Sequence, residues 1–300
     1  MKIPLLITTM LFGFIAPLSA SAVEYAVSTR PTPVLNSPDF KAVFGGKEGQ
    51  TLKTDRCGQV RELEYIALPG SLFKILETQH TETADIYQIE TDEYTAPPNV
   101  RLYVDGRFLK PERNAPPSRM RSLQQQETIV SKLRLSVGSH YVWGGNVLEG
   151  LPELRSWFYK NIKDYDAERL TLAGLDCSGL LYHATDGWTP RNTSQLIRFG
   201  RGVAVEGKRA KEIAELLQPL DLLVWNGHVI IVLDPQTTIE SRLECGKPGN
   251  GGVVTASLSK RIAQIMRTRR PVNTWTGDMK HNDIFIVRRW YPQHGEATGK

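Results

Sequence analysis

The stretch Leu175-Asp176-Cys177-Ser178-Gly179-Leu180-Leu181-Tyr182 decides how the rest of this chain is read. Asp176 is a natural N-cap, and the apolar residues after Gly179 continue as a helix, so Cys177 falls in the first turn. Unpaired backbone N–H groups and the positive end of the helix dipole favour a thiolate there. The same N–H groups can stabilise an oxyanion formed when that sulfur attacks a carbonyl. The competing reading of such a residue is a buried structural thiol.

A nucleophilic thiol needs a base. Of the six histidines, His228 is the best placed, because Asn226-Gly227-His228 forms a tight turn into the strand Val229-Ile230-Ile231-Val232-Leu233. An imidazole at the start of a rigid element can be aimed. His183, six residues past Cys177, lies off the neighbouring helical face and reads as a packing or surface residue. No pair of histidines with a Cys or carboxylate shows zinc spacing, so neither a metal site nor another cofactor is expected.

Working outward, Ile129, Val130, Leu133 and Val137 recur at helical spacing over 123–137, and Ile213, Leu216 and Leu217 do so over 208–218. Leu222–Trp225, His228–Leu233, Thr237–Ser241 and Asp283–Trp290 read as strands, with Asp234-Pro235-Gln236 as a hairpin turn. Helices first and hairpin-joined strands afterwards predict an α+β domain with an antiparallel sheet. Residues 23–109 differ: short apolar clusters such as Ile86-Tyr87-Gln88-Ile89 and Leu102-Tyr103-Val104, separated by polar turns, predict a small β-barrel. The Pro- and Arg-rich segment 110–122 reads as a linker. Cys245–Gly252, with its four glycines, reads as a mobile loop.

Five ordered motifs then carry a family resemblance. They are Tyr141-Val142-Trp143-Gly144-Gly145, Asp176-Cys177-Ser178-Gly179-Leu180, Pro190-Arg191-Asn192-Thr193-Ser194-Gln195, Asp221-Leu222-Leu223 and Gly227-His228-Val229. Together they resemble the NlpC-type cysteine peptidases, papain-like endopeptidases of bacterial cell-wall peptidoglycan, over about 123–290. The stretch 70–109 resembles, more loosely, a bacterial SH3 domain. The resemblance implies Cys177 as nucleophile, His228 as base and Tyr141 as an oxyanion-hole hydroxyl. The third polar residue falls on Glu240, where the family usually has His, Asn or Gln; a carboxylate can still orient an imidazole. Otherwise Glu240 lies on a solvated strand face. Asp176 and Ser178 would hold the free amine of a stem peptide beginning with L-Ala, and Arg191 would meet a substrate carboxylate or make a structural salt bridge. The bond cut would then be D-γ-glutamyl–diaminopimelate.

A departure from the family is the 29 residues between Gly145 and Leu175, which include Leu151, Trp157, Phe158 and Tyr159. They are enough to pack as an extra helix, either a lid that narrows the groove or a decoration.

The first segment gives a location. Lys2, an apolar run from Ile3 to Leu18 and Ala20-Ser21-Ala22 have the order of a secretory signal peptide. A membrane anchor needs about 20 apolar residues, and Pro4 and Pro17 shorten this run, so stable membrane insertion is not expected. The expected organisation is leader 1–22, SH3-like domain 23–109, linker 110–122, catalytic domain 123–292 and tail 293–300, exported to the periplasm or cell envelope. The three cysteines after the leader leave one thiol unpaired in an oxidising compartment. Cys57 and Cys245 either pair across the two domains or are two small buried side chains.

The chain has 300 residues with 37 Lys+Arg against 32 Asp+Glu, a net +5 that is small and dispersed. That suits an anionic polymer, and no aromatic-basic signature points to nucleic acid. The expected partner is therefore a peptidoglycan stem peptide; the sequence leaves oligomeric state open. Two further classes share the motifs: an inactive cell-wall-binding module, and an acyl or amide transferase.

Overall fold

The run Val229-Ile230-Ile231-Val232-Leu233 is apolar at every position, and such a strand needs cover on both faces. In the computed structural model, which describes residues 24–160, 167–275 and 283–292, it has that cover. The expected leader and tail lie outside the described residues. Strand His228–Asp234 sits inside a sheet ordered Arg201–Gly202, Ile284–Arg289, Leu222–Trp225, His228–Asp234, Thr237–Leu243, Gly251–Ser257, antiparallel throughout. Arg270–Pro271 adds a short parallel pairing to Ile284–Arg289. Alternation splits the apolar residues cleanly. Leu222, Val224, Val229 and Ile231 join helices Gln126–Leu135 and Cys177–Ala184 on one face. Leu223, Trp225, Ile230 and Val232 join helices Ala210–Leu216 and Leu258–Ile265 on the other.

Several expectations shift at element ends. The first helix covers Gln126–Leu135 rather than 123–137; Ile129 and Leu133 are buried, but Val137 is exposed. Past the Ser136 cap the chain has left the helical spiral, and Gly138 N–H bonds Val253 O in the sheet. In the second helix Ile213 and Leu217 are buried while Leu216 faces solvent. The glycine-rich segment is not a free loop: a 3₁₀ turn spans Pro248–Asn250 and the edge strand begins at Gly251. Gly252 is required there, because a Cβ would sit 2.1 Å from the backbone oxygen of Ser139. Cys245 forms a disulfide with Cys57 (Cα–Cα 4.9 Å), which resolves the two readings of that pair in favour of a bridge.

The N-terminal residues form a second antiparallel sheet, ordered Leu63–Ala67, Thr32–Leu35, Leu102–Asp105, Asp85–Glu90, Leu72–His80, Tyr25–Ser28, Leu109–Glu112. Among the described residues no pairing joins its two edge strands, so the ladder is open where a closed barrel was expected. Its last strand runs through Glu112, into the segment read as linker. The rest of that segment is strapped down: Arg119 donates to Glu93 (3.1 Å) and to Asp186 O (2.9 Å).

The 146–174 excursion closes on itself, its ends pairing as Asn146–Val147 against Gly174–Leu175. Its helix Pro152–Phe158 packs against the N-terminal sheet. Trp157 meets Phe108 edge-on (4.7 Å), Phe158 tilts on Phe44 (5.5 Å), and the Arg107 guanidinium lies over both rings. These aromatics bind the two halves of the molecule, while Leu172 and Ala173 at the far end of the same excursion line a cavity with Tyr141.

Candidate active site

Asp176 caps the Cys177–Ala184 helix as its residue type dictates: Oδ1 accepts from Gly179 N–H at 2.6 Å. Gly179 has to be glycine, since a Cβ would lie 2.0 Å from Gly145 O. The same carboxylate accepts from Ser178 Oγ, Gly144 N–H and the Arg191 guanidinium. Arg191 is 1% exposed, and all five of its N–H donors are used: on Asp176 twice, Ser178 Oγ, Gly145 O and Asn146 Oδ1. Of the two readings of Arg191, the structure shows the salt bridge, to Asp176. Asp176, Ser178 and Arg191 bond one another and hold the start of the Cys177–Ala184 helix.

Sheet geometry decides where the sulfur goes. Strands His228–Asp234 and Thr237–Leu243 pair only as far as Ile231 and Ile239, then diverge. The helix start occupies the fork. Ser241 Oγ donates to Leu175 O (2.7 Å), and Cys177 Sγ donates to Gly227 O (3.8 Å), beside the Val229 N–H. Cys177 therefore lies against the backbone on both sides of His228. Its hydrogen bond goes to that backbone and not to the imidazole.

Glu240 lies on the far arm of the fork and closes it: His228 Nε2–H donates to Glu240 Oε2 at 2.7 Å. An ionised carboxylate only accepts, so this bond fixes the proton on Nε2 and leaves Nδ1 as the basic nitrogen of a neutral ring. The imidazole stacks against Trp225, centroids 5.0 Å apart. Glu240 is 1% exposed, not on a solvated face. Burial pushes its pKa upward, but hydrogen bonds from His228 and Arg261 outweigh this and hold the carboxyl below its ordinary range.

Burial dominates elsewhere. It pushes the Cys177 thiol up to about 12, with the Asp176 charge adding to it, while Arg191 and the Val229 and Ser178 N–H groups pull the other way. The helix start was expected to favour a thiolate; in this 7% exposed position desolvation wins. Tyr141 is fixed by Tyr141 N–H to Gly251 O (3.2 Å) and is raised well above the ordinary tyrosine range by burial, then by Asp176 and Cys177. It stays a hydrogen-bond donor close to the sulfur. Beside it opens a cavity of about 200 Å³ lined by Gln59, Val60, Tyr141, Leu172, Ala173 and Asn250 among others.

The structure thus brings Tyr141, Cys177, His228 and Glu240 to one fork and uses Asp176, Ser178 and Arg191 beneath it. Sequence reasoning missed Arg261, Asn146 and Trp225. Asn146 had a local clue in its place directly after Gly145, whereas nothing near Arg261 signals that it reaches back 21 residues to Glu240. Among the described residues no cluster of His, Cys, Asp and Glu has metal-binding geometry, and no helix is long and apolar enough to cross a membrane.

No family model and no curated protein matches the chain. Among the solved structures similar to it are the following two. One is an NlpC/P60 family protein from Bacillus cereus ATCC 10987, at 17% identity and TM-score 0.32, covering 91% of this chain and 65% of that one. The other is RipD from Mycobacterium tuberculosis, described as a non-catalytic NlpC/p60 domain protein adapted to peptidoglycan binding. It has 18% identity and TM-score 0.28, covering 44% of this chain and 89% of that one. The chain spans less than two thirds of the first structure's length. It is an α+β protein of mixed helix and antiparallel sheet whose solved structural neighbours are NlpC/P60 proteins.

Proposed function

We propose that the chain is an exported cysteine endopeptidase that hydrolyses peptidoglycan stem peptides. The D-γ-glutamyl–diaminopimelate bond is the one implied by its NlpC-type motifs, and the N-terminal sheet takes the SH3-like role of flanking the groove. One observation carries the reading: a capped-helix cysteine wedged against the backbone of a histidine whose Nε2 is held by a buried carboxylate.

With the thiol protonated at rest, its proton leaves as it attacks, not beforehand. Sγ bonds to the peptide carbonyl carbon while the thiol proton passes to His228 Nδ1. The oxyanion that forms is met by the Cys177 backbone N–H and the Tyr141 hydroxyl. The C–N bond then breaks, the imidazolium returns the proton to the leaving amine, and a thioester remains. Water, deprotonated by His228, hydrolyses the thioester and restores the thiol.

A second reading, a cell-wall-binding protein without turnover, is favoured by the buried thiol and by its hydrogen bond to Gly227 O in place of the imidazole. Purified sacculi separate the two. The peptidase reading expects the wild type to release peptides whose masses show new free termini, and Cys177→Ala to release about 10³-fold less or none. Equal release by both proteins, or binding with no release, rejects it.

A further inference from the structure

Glu240 has a second partner that the proposed chemistry does not use. Arg261, on the helix Leu258–Ile265, donates Nε–H to Glu240 Oε1 at 2.7 Å and Nη2–H to Oε2 at 2.9 Å. Its Nη1 is tied to Gln264 Oε1 (2.8 Å), so the guanidinium is fixed at both ends. Side-chain exposures of 12% for Arg261 and 1% for Glu240 make this a desolvated, two-pronged ion pair. Oε2 receives both Arg261 and His228. The carboxylate cannot rotate without breaking bonds to both.

We propose that Arg261 is the positioning residue of the site: it locks the Glu240 carboxylate, and through it the imidazole, in one orientation. This rests on the peptidase reading. The physical reason is that a carboxylate with one partner can swing between its two oxygens, whereas a bidentate clamp leaves one rotamer. The helix supplying Arg261 packs on the face opposite the nucleophile helix, so the two halves of the catalytic apparatus are held from opposite sides of one sheet.

The clamp also carries a pH consequence. The groups around Glu240 are His228 from the neighbouring strand, Arg261 from the helix, Arg242 on its own strand and Glu244 just past its end; Arg269, over the Trp225 ring, also faces Arg261. The strand on the other side presents Val254. With Arg261 removed, burial is offset only by His228, so the carboxyl becomes easier to protonate. The loss of function on the acid side then begins at higher pH.

The test compares full-length wild type, Arg261→Gln and Arg261→Lys, each checked for folding by its thermal transition. Peptide release from sacculi is read from pH 5 to 9, with alkylation of Cys177 by iodoacetamide over the same range. Cys177 is the free thiol among the described residues, since Cys57 and Cys245 are bonded. We expect Arg261→Gln to lower kcat about tenfold with KM within about twofold and to move the acid limb to higher pH, and Arg261→Lys, which keeps the charge but loses the second prong, to hold the acid limb while kcat still falls several-fold. Unchanged kcat and acid limb in folded Arg261→Gln overturn the proposal. If the wild type itself releases nothing, the peptidase reading has failed, and alkylation then decides: a slower, shifted profile in Arg261→Gln upholds the clamp and an identical one overturns it. Should Arg261→Gln not fold, folded Arg261→Lys decides alone, with a lowered kcat at KM within about twofold supporting the clamp and a wild-type kcat overturning it.

Discussion

Asp176 and Arg191 carry more of the structure than their short motifs suggest. The Asp176 carboxylate accepts hydrogen bonds from four residues, and the guanidinium opposite is fully desolvated. Removing one charge from such a pair leaves the other buried and uncompensated. Asp176→Asn should therefore cost about 3–5 kcal/mol in denaturant unfolding, far more than an exposed cap; a cost below about 1 kcal/mol would mean that the network holds little. At this scale the sequence was readable where chemistry is local. Asp176, Cys177 and His228 stand in motifs with their own neighbours. Glu240 was found by counting along a hairpin. The saturation of Asp176, Ser178 and Arg191 was not readable, because it depends on Arg191 folding back over 15 residues and on Asn146 arriving from another strand.

Elements followed from periodicity wherever one physical rule dominated. The strand Val229–Leu233 was legible as a strand and, being apolar throughout, is covered on both faces. Element ends were less legible because tertiary hydrogen bonds set them, as at Gly138 and Glu112. The 146–174 excursion shows the same limit: its aromatic content was plain, but the surface it packs on was not. Leu154, fully buried in the core shared with the N-terminal sheet, gives the check. Leu154→Ala should cost about 2–5 kcal/mol. Because the packing joins two halves, both should lose stability together in a single transition; loss confined to one half would contradict the shared core.

For the molecule as a whole, three of the ties that cross between the N-terminal sheet and the α+β half stand out. The disulfide Cys57–Cys245 spans 188 residues. Asn146 hydrogen-bonds both N–H and C=O of Ile66, covering the edge strand of the open sheet. Glu93 accepts from Tyr182 on the nucleophile helix and from Arg119. By chain entropy a cross-link of that separation is worth about 5 kcal/mol. Reduction, or Cys57→Ser with Cys245→Ser, should lower the unfolding midpoint markedly while leaving far-UV circular dichroism in buffer unchanged, since the other two ties persist. No shift in midpoint would show that the bridge adds nothing to them.

The central claim is that sulfur 177 and imidazole 228 act as one site although no hydrogen bond joins them at rest. Alkylation of the folded protein by iodoacetamide at pH 7, followed by intact mass, tests it most directly. The account predicts a single adduct on Cys177, formed at least about tenfold more slowly in folded His228→Ala. Equal rates in the two proteins, or no adduct until denaturant is added, would contradict it.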